Sequence, residues 1–432
     1  MTERRTGTTG NDTITATKSG WGLWWESWEI DGREGNDSLT GGAKSDTLTG
    51  GIGNDTLVGL DGNDRMDGGT GEDLMVGGRG DDSYFVDNER DRITERDGEG
   101  NDTVFSHAQR YVLPAFVERM ELMDDAVKGV GRVGIGNNLS NTIKGNQWDN
   151  DLYGLGGNDT IYAHTGGKNN VYGGDNDDVL LGTIRGITGG TGSSLYGDSG
   201  SDSLHGGAGD KLYGGIGDDT YYVYSNNGPT IVEKANEGSD KLIFELVSGL
   251  PTDEVYNMPS NLEHIERVEL MGLAKGAVGN GFGNLIVANP SRASYLDGGG
   301  GRDVLVGNGF NDTLLGGAGN DQMRGGGGDD HIIGVGGGFD IMEGGAGADI
   351  FYLKDFYRDN HFATIRDFKR SEGDKISLQG QASDYRLALV EMVGPVGISD
   401  VGIYYKPTNA LVGVVQDTTN VSLSTDFQFV PG

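Results

Sequence analysis

The chain of 432 residues contains no cysteine, and this absence excludes disulfide scaffolds, thiolate metal sites and cysteine catalysis. It contains only 8 prolines, so it is neither a collagen nor a proline-rich linker. Apolar residues make up 34%, and no run approaches the ~18 apolar residues of a membrane span. Residues 1–15 lack the apolar segment of a signal peptide. We therefore expect a cytoplasmic protein or one exported by a route that reads no N-terminal signal.

Positive charge is also scarce, since 33 Lys and Arg stand against 66 Asp and Glu and the formal net charge is −33. A chain so acidic and so poor in apolar side chains is expected to stay unfolded on its own. It should also repel nucleic acid and anionic membranes, because both require a basic surface. We therefore expect no nucleic-acid partner and no transmembrane segment. The attractive partner that remains is a cation.

Glycine is in excess, with 81 residues, and it recurs in a nine-residue pattern. Six unbroken nonapeptides run from Gly32 to Phe85 and include GREGNDSLT, GGAKSDTLT and GGIGNDTLV. Further copies, some degenerate, lie in 136–222 and 298–352, and a lone copy covers 7–15. Position 1 is glycine and position 6 is aspartate. Position 4 is also glycine except in the copies that have Lys44, Asn176 and Phe310.

This pattern, G-G-x-G-x-D-x-U-x with U apolar, resembles the RTX family of calcium-binding repeats. The resemblance covers about half of the chain directly and implies calcium as the cofactor. It also implies a secreted protein that a one-step type I machine exports by an uncleaved C-terminal signal. The segment IRDFKRSEGDKISL at 365–378 is similar to the closing segment of secreted RTX proteins, and Asp426 to Val430 fits the signal loosely.

Each nonapeptide predicts a glycine-rich turn, G-G-x-G-x-D, followed by a short strand, x-U-x. Two nonapeptides would make one turn of a flattened right-handed coil, so repeats n and n+2 would stack about 4.8 Å apart. The apolar residue at position 8, such as Leu39 or Leu48, would point inward. We therefore predict an all-β fold, a parallel β-roll or β-helix solenoid of calcium-binding nonapeptide repeats with a C-terminal β cap.

The position-6 aspartates would stack in rows, where neighbouring carboxylates repel unless a cation lies between them. Calcium takes 6–8 oxygen ligands, so carboxylates and turn carbonyls suit it, and roughly ten ions are expected. By the n, n+2 pairing Asp37 shares an ion with Asp55, whereas Asp12 in the lone copy would have no neighbour in register. The alternative is that these are solvated turn aspartates. The candidate metal ligands are Asp37, Asp46, Asp55, Asp64, Asp73, Asp82, Asp159, Asp178, Asp202, Asp219, Asp303, Asp312, Asp321, Asp330 and Asp349, with the turn glycines Gly32, Gly50, Gly53, Gly68, Gly71, Gly298, Gly316, Gly319 and Gly325.

The spacers between the repeat blocks are duplicates of each other, because DSYFV, ITE and EGND in the first match DTYYV, IVE and EGSD in the second. Alternating apolar residues favour β coils in the spacers. Inserted α/β subdomains, with a helix at 112–125, are the alternative. The expected segments are an N-terminal cap with a Trp-rich insert (1–31), the first block (32–85), a β spacer (86–135), the second block (136–222), the duplicate spacer (223–297), the third block (298–352) and the C-terminal β cap with the secretion signal (353–432).

Two groups of aromatic residues are candidate ligand-binding surfaces. The first has the spacing of one helix face, although alternation also fits, and it predicts either a plug over the first coil or an exposed surface for sugar or lipid. The second occupies position 9 of alternate repeats and predicts a ladder that binds a polysaccharide or stabilises the sheet by cross-strand pairs. The first group is Trp21, Trp24, Trp25 and Trp28, and the second is Tyr153, Tyr172, Tyr196 and Tyr213.

The chain contains neither an H-E-x-x-H zinc motif nor a G-x-S-x-G nucleophile elbow, and we assign no catalytic residue. The composition, the repeats and the resemblance favour a secreted, calcium-dependent binding or surface-structural protein of the extracellular space or cell surface. This class includes adhesins, matrix proteins, surface-layer proteins and glycan-binding modules. Its expected partners are calcium, extracellular polysaccharide or cell-surface glycan, and further copies of itself. The alternative is an extracellular polysaccharide-modifying enzyme with a site on the solenoid face.

Overall fold

The structure is a computed structural model, and the residues that it describes are 2–16, 27–124, 132–164, 166–182, 192–246, 255–353, 361–391 and 399–431. The chain forms two compact units. Unit 1 comprises Met1–Tyr221 and Gly228–Val232, and unit 2 comprises Tyr222–Asn227 and Glu233–Gly432. Each unit is a parallel β-solenoid, so the predicted all-β class is confirmed. The division into seven segments stays a prediction.

Unit 1 has parallel strands on two faces, and each strand pairs with the strands one coil before and one coil after it. The strands of the first face are Thr2–Thr6, Ser27–Glu34, Thr47–Ile52, Arg65–Thr70, Ser83–Val86, Thr103–Ser106, Arg119–Leu122, Thr142–Lys144, Thr160–Tyr162, Val179–Leu181 and Ser203–Gly206. The second face contains one sheet of Thr13–Thr15, Ser38–Thr40, Thr56–Asp61, Leu74–Arg79 and Arg92–Thr94, and another of Arg110–Val112, Arg132–Ile135, Asn150–Gly156, Asn170–Asp175, Ser194–Ser199, Lys211–Ile216 and Thr230–Val232. A further strand is Thr220–Val223.

Unit 2 repeats this plan and adds antiparallel strands near the C-terminus. Its first face has the strands Asp240–Leu246, Ile265–Gly272, Leu285–Val287, Val304–Val306, Gln322–Gly327, Ile341–Ala346 and Ala363–Ile365, then the strands Tyr385–Val390, Asp400–Tyr405 and Ala410–Val415. Its second face has Val255–Asn257, Gly276–Val278, Tyr295–Asp297, Thr313–Leu315, His331–Gly334, Ile350–Leu353, Lys375–Gln379 and Phe427–Val430. The short strands Gly300–Gly301 and Ala318–Gly319 pair with each other, and a 3-10 helix spans Ala382–Asp384.

The core is a row of position-8 side chains, because a strand with alternating faces points every second side chain inward. Leu39, Leu48 and Leu57 are each 0% exposed, and their neighbours along the strand are half-buried. Leu39 pairs directly with Leu57, one coil further on. The predicted stacking of repeat n on repeat n+2 is therefore confirmed.

The spacers are β coils, as their alternation predicted. Residues 103–124 contain the strands Thr103–Ser106, Arg110–Val112 and Arg119–Leu122, and the described residues of 112–125 contain no helix. Tyr111, at the centre of the second of these strands, is 4% exposed. The alternative of inserted α/β subdomains is therefore wrong for the described part of the first spacer.

The C-terminal residues form the predicted β cap. Ala410–Val415 pairs in parallel with Ala363–Ile365 and antiparallel with Asp400–Tyr405. Asp426 is 0% exposed and accepts a hydrogen bond of 2.7 Å from Nε of Arg370. Within the described ranges, no helix is long and apolar enough to cross a bilayer.

Candidate metal centres

The position-6 aspartates are buried at the ends of the turns and are linked in rows. The backbone N–H of Asp37 donates to Oδ1 of Asp55 at 2.7 Å, and Asp55 donates to Asp73 in the same way. These three side chains are only 2–3% exposed. The pattern follows from the register, because strands one coil apart bring equivalent turns together. The predicted n, n+2 neighbourhood of the aspartates is thereby confirmed.

Rows of this kind recur through both units, and we number them as ladders. In unit 1, ladder 1 is Asp12, Asp37, Asp55, Asp73 and Asp91, and ladder 2 is Asp46, Asp64, Asp82 and Asp102. Ladder 3 is Asn141, Asp159, Asp178, Asp202 and Asp219, and ladder 4 is Asn150, Asn169, Ser193 and Asp210. In unit 2, ladder 5 is Asn284, Asp303, Asp321 and Asp340, and ladder 6 is Ser294, Asp312, Asp330, Asp349 and Asp374.

The expectation that Asp12 has no neighbour in register is wrong. The backbone N–H of Asp12 donates to Oδ1 of Asp37 at 2.7 Å, and the strand Thr13–Thr15 pairs with Ser38–Thr40. The two aspartates are 25 residues apart instead of the usual 18, because the segment between them contains the Trp-rich insert. The insert therefore interrupts the sequence spacing but not the ladder.

Most ladder aspartates have a second carboxylate oxygen, Oδ2, that is buried and has no hydrogen-bond partner. The set with this feature includes Asp37, Asp55, Asp64, Asp73, Asp82, Asp159, Asp178, Asp202, Asp303, Asp321, Asp330 and Asp349. An ionised oxygen that is buried without a partner is costly, so such groups are normally paired or bound to a metal. A repeated orphaned oxygen at equivalent positions is therefore what a row of cation sites requires.

The surroundings of many of the orphaned oxygens contain the other ligand type that calcium uses. A Cβ added to Gly32 would collide with Oδ2 of Asp37 and would lie 2.7 Å from the carbonyl oxygen of Gly50. The carboxylate of one repeat and the carbonyl of the next repeat in the ladder thus border the same space. Hard oxygen ligands of both kinds suit calcium. The residues present therefore fit the metal that the repeats imply.

The predicted glycine ligands occupy two distinct places around these spaces. The position-1 glycines lie against the aspartate oxygen, and the position-4 glycines have positive φ. The first group is Gly32, Gly50, Gly68, Gly298, Gly316 and Gly325, and the second is Gly53, Gly71 and Gly319. Their role as metal ligands stays a proposal.

Turns with an orphaned oxygen share a backbone conformation, with positive φ at positions 2 and 4. In the turn of Asp55, Gly51 has φ +114° and Gly53 has φ +136°. We call such turns open. In closed turns the N–H of position 2 donates to Oδ2 instead, as Gly42 does to Asp46. In a closed turn, a backbone donor occupies the oxygen that a metal would need.

Some open turns hold residues other than glycine in the left-handed region. At position 2 these are Arg33 (φ 79°), Leu60 (φ 86°), Leu155 (φ 84°) and Asp198 (φ 73°), and at position 4 Asn176 (φ 79°). For such residues the left-handed conformation costs about 1–2 kcal/mol. Strain of this kind persists only where the surrounding structure determines it. The open turn is therefore maintained even where the sequence does not favour it, which supports a ligand-binding role.

Burial raises the pKa of several ladder carboxyls. The pKa of Asp64 and of Asp73 is raised to about 7, mainly by burial and further by neighbouring carboxylates such as Asp46 beside Asp64. Burial raises the pKa of Asp178 to about 8. In the absence of a cation these carboxyls would therefore hold protons near neutral pH. A bound divalent cation would favour the ionised form.

Ladder 4 differs from the others because neutral side chains take the place of most of its aspartates. Oδ1 of Asn169 accepts 2.9 Å hydrogen bonds from both the backbone N–H and Nδ2 of Asn150. Asn169 in turn donates its backbone N–H to the hydroxyl of Ser193. These neutral groups carry no charge that a cation would have to balance. In the second block the aspartates with orphaned oxygens are therefore those of ladder 3.

The four predicted tyrosines form a continuous stack on the second face of unit 1. The ring centroids are 4.7 Å apart for Tyr153 and Tyr172, 4.8 Å for Tyr172 and Tyr196, and 4.6 Å for Tyr196 and Tyr213. The interplanar angles are 3–9°. The ladder that the alternate repeats predicted is thus present, and its role as a ligand surface stays a prediction.

The tryptophan cluster is only partly described, since Trp21, Trp24 and Trp25 lie outside the described residues. Trp28 lies in the strand Ser27–Glu34 and is 7% exposed. Its ring is covered by Arg5, whose guanidinium lies 4.9 Å from the ring centroid. For Trp28 the helix and an exposed sugar or lipid surface are both wrong, because the residue packs inside the first coils.

Sequence reasoning missed several ladder members in the first spacer. Asp91 and Asp102 continue ladders 1 and 2 beyond the last clear nonapeptide, and Glu95 lies beside them with its carboxylate buried. The signal that could have found Asp102 is the motif EGND, which keeps the spacing of glycine and aspartate at positions 4 and 6. The ladders therefore extend into the spacer.

The fold and these ladders define a class: parallel β-solenoids whose turns carry rows of buried carboxylates arranged for cations. The family model of the RTX calcium-binding nonapeptide repeat (4 copies) matches residues 31–66, 49–84, 58–93, 135–167, 187–221, 297–332 and 335–355. The chain thus carries several copies of the RTX calcium-binding repeat, and the resemblance is confirmed. RTX repeat proteins are typically secreted. A search of curated proteins found no match to the chain.

Proposed function

We propose that the protein is a calcium-loaded structural or binding protein of the extracellular space or cell surface. The observation that carries the proposal is the set of orphaned, buried Oδ2 atoms on ladders 1, 2, 3, 5 and 6. Each would bind a calcium ion together with a turn carbonyl, as Asp37 would with the carbonyl of Gly50. Bound calcium would neutralise carboxylates that burial otherwise protonates, and it would fix neighbouring coils to each other.

Roughly ten bound ions remains the expectation. Native mass spectrometry in a volatile calcium buffer counts the bound ions directly. A count near ten, lost on chelation together with the β signal, supports the proposal. A chain that binds no calcium, or only one or two ions, contradicts it.

Secretion is the second part of the proposal. Weak extracellular calcium sites have dissociation constants of ~10⁻⁴–10⁻³ M, so such a chain would be metal-free inside cells and would fill its sites outside. The self-repulsion of a chain with net charge −33 would keep the metal-free form extended and soluble. We expect the full chain to accumulate outside the cell and a chain without residues 373–432 to remain inside. Normal secretion of the truncated chain would refute a C-terminal signal.

The stacking of the tyrosine ladder favours a role in stiffening the surface over a role as a platform on which sugar rings stack. A sugar ring packs on the face of an aromatic ring, but both faces of Tyr172 are already engaged by Tyr153 and Tyr196. The ladder would therefore present hydroxyl groups and ring edges, which can contact a polysaccharide by hydrogen bonds. Its main contribution would be to stiffen the face through stacked cross-strand pairs.

A pull-down on a panel of acidic and neutral glycans, in calcium and in chelator, tests the binding role. Calcium-dependent capture without new reducing ends or unsaturated sugars in the supernatant favours a binding protein. New sugar ends would favour the polysaccharide-modifying enzyme instead. Solution scattering at several protein concentrations, with and without calcium, tests self-association. Concentration-dependent growth in calcium alone would support a surface-structural role.

A further inference from the structure

The turn of Asp82, in ladder 2, differs from the turn of Asp37 at one position. In the turn of Asp37, the carbonyl of Gly50 borders the space beside the orphaned oxygen. In the turn of Asp82, Glu95 of the next coil lies where a glycine lies in the turn of Asp37. Thr94 pairs with Val76, so the next residue, Glu95, lies beside Gly77. A Cβ added to Gly77 would meet the hydroxyl of Tyr84, Oδ2 of Asp82 and Oε1 of Glu95. A side-chain carboxylate therefore joins the space that a glycine carbonyl borders elsewhere.

Three carboxylates converge at this place. One oxygen from each of Asp82, Glu95 and Asp102 lies within 4.8 Å of the other two. The side chains are 1%, 7% and 1% exposed, and Oδ2 of Asp82 and Oε2 of Glu95 are buried without a hydrogen-bond partner. Calcium–oxygen distances of ~2.3–2.6 Å place two ligands of one ion up to about 5 Å apart. The three oxygens are thus spaced as ligands of one ion can be.

We propose that Asp82, Glu95 and Asp102 form a calcium site with three carboxylates that fastens the first spacer to the end of the first repeat block. The inference rests on the proposed calcium-binding function and adds to it a site of which two ligands, Glu95 and Asp102, lie outside the nonapeptides. Glu95 follows the strand Arg92–Thr94 and Asp102 precedes Thr103–Ser106, so one ion would tie together three chain segments. A carboxylate and a carbonyl border the space in the turn of Asp37, whereas three carboxylates converge here.

Ligand charge is one of the properties that set calcium affinity, and more carboxylates give tighter sites. The site is therefore expected to be the last in unit 1 to empty when calcium is withdrawn. The metal would also explain why a glutamate is buried there, since an unpaired buried carboxylate is otherwise unfavourable. Tyr84 donates its hydroxyl to Oε1 of Glu95 and so orients the carboxylate while leaving Oε2 available.

The duplicated spacer supplies an independent observation at the level of sequence. The first copy has Asp82, Tyr84, Glu95 and Asp102 within DSYFV, ITE and EGND, and the second has Asp219, Tyr221, Glu233 and Asp240 within DTYYV, IVE and EGSD. The same four residue types recur in the same order. An arrangement that serves only as a local hydrogen bond would not require all four.

The competing explanation is that Glu95 is a neutral carboxylic acid held by Tyr84, with no ion. Crystals grown in calcium and soaked in Tb³⁺ distinguish the two, because anomalous scattering locates each bound ion. We expect a peak among Asp82, Glu95 and Asp102 in addition to peaks beside Asp37 and Asp55. Peaks at the latter positions alone would overturn this inference and leave the proposed function intact. A map without peaks at either place would overturn both.

Native mass spectrometry of the full chain in calcium provides a second test. Glu95→Gln should bind one ion fewer than the unaltered chain at limiting calcium, since it removes a negative ligand and keeps the side-chain shape. Glu89→Gln is the matched control, because Glu89 is an exposed glutamate of the same segment and its loss should not change the count. An unchanged ion count in Glu95→Gln, with a calcium-induced β signal equal to that of the control, would contradict the site. If Glu95→Gln fails to fold, the anomalous map of the unaltered chain still decides.

Discussion

Asp55→Asn removes one carboxylate charge from the middle of ladder 1 and keeps the size of the side chain. Oδ1 of Asp55 accepts a hydrogen bond from the backbone N–H of Asp37, and the side-chain oxygen of asparagine can accept the same bond. The negative charge at the orphaned Oδ2 is lost. The substitution therefore separates the metal-binding role of Asp55 from its hydrogen bond. The expected result is a loss of stability that depends on calcium.

The magnitude follows from linkage. A ligand that binds only the folded chain stabilises it by RT ln(1 + [L]/Kd), so a site with Kd of ~10⁻⁴–10⁻³ M contributes about 1.4–2.7 kcal/mol at ~10 mM calcium. About 1 kcal/mol shifts the Tm of a unit of this size by about 2–4 °C, so the loss of one site should lower Tm by roughly 3–10 °C. The difference should shrink as calcium is reduced, because an empty site contributes nothing.

The assay is a thermal melt at calcium concentrations of ~1 and ~10 mM, with Asp46→Asn as the matched control. Asp46 is a buried aspartate of ladder 2, but its Oδ2 already accepts the N–H of Gly42 in a closed turn. We expect a smaller effect there, below about 1 kcal/mol, with little calcium dependence. Equal losses for the two variants, or a loss at Asp55 that is independent of calcium, would refute the distinction between open and closed turns.

Three further expectations concern pH, stacking and backbone strain. Burial raises the pKa of Asp64 to about 7, so the folded metal-free chain binds more protons than the unfolded chain between about pH 4 and 7. The folded metal-free chain therefore loses stability as pH rises through this range. Circular dichroism without calcium should show more β signal at about pH 5.5 than at about pH 8. Tyr172→Leu removes two stacked pairs and should lower the free energy of unfolding by about 1–3 kcal/mol in a calcium-saturated melt. Tyr162→Leu, outside the stack, should lower it by less, and equal losses for the two variants would show that the stacking does not stabilise the fold. Leu60→Gly should raise Tm, because it removes the cost of about 1–2 kcal/mol of holding leucine in the left-handed conformation. Ile52→Gly, at another exposed apolar residue, should lower Tm. A lower Tm for both variants would show that the turn is not strained.

The regular part of the fold could be predicted because the nine-residue period determines where each turn lies and which side chain of each strand points into the core. Leu39 and Leu57 occupy the positions that the pattern assigns, and so do the stacked tyrosines of the second block. Each of these features depends only on the repeat spacing. The position of Asp12 does not, because the Trp-rich insert separates it from Asp37 in sequence and the two residues are nevertheless neighbours in the ladder.

The sequence also identified the irregular turns but not their consequence. Lys44 and Phe310 replace the position-4 glycine, and their turns are closed because neither residue adopts positive φ. Asn176 is a third replacement, but it has φ +79° and its turn stays open, since asparagine tolerates the left-handed region. The identity of the replacing residue thus decides whether the oxygen of the following aspartate is available. Only the backbone conformation made that distinction visible.

Circular dichroism during a calcium titration, starting from excess chelator at neutral pH, tests the central claim most directly. With net charge −33, a core one side chain wide and buried carboxylates that need a cation, the metal-free chain should lack a cooperative fold. Added calcium should create the β signal in a steep transition, and magnesium at the same concentration should not. A full β signal in chelator, unchanged by calcium, would contradict the account.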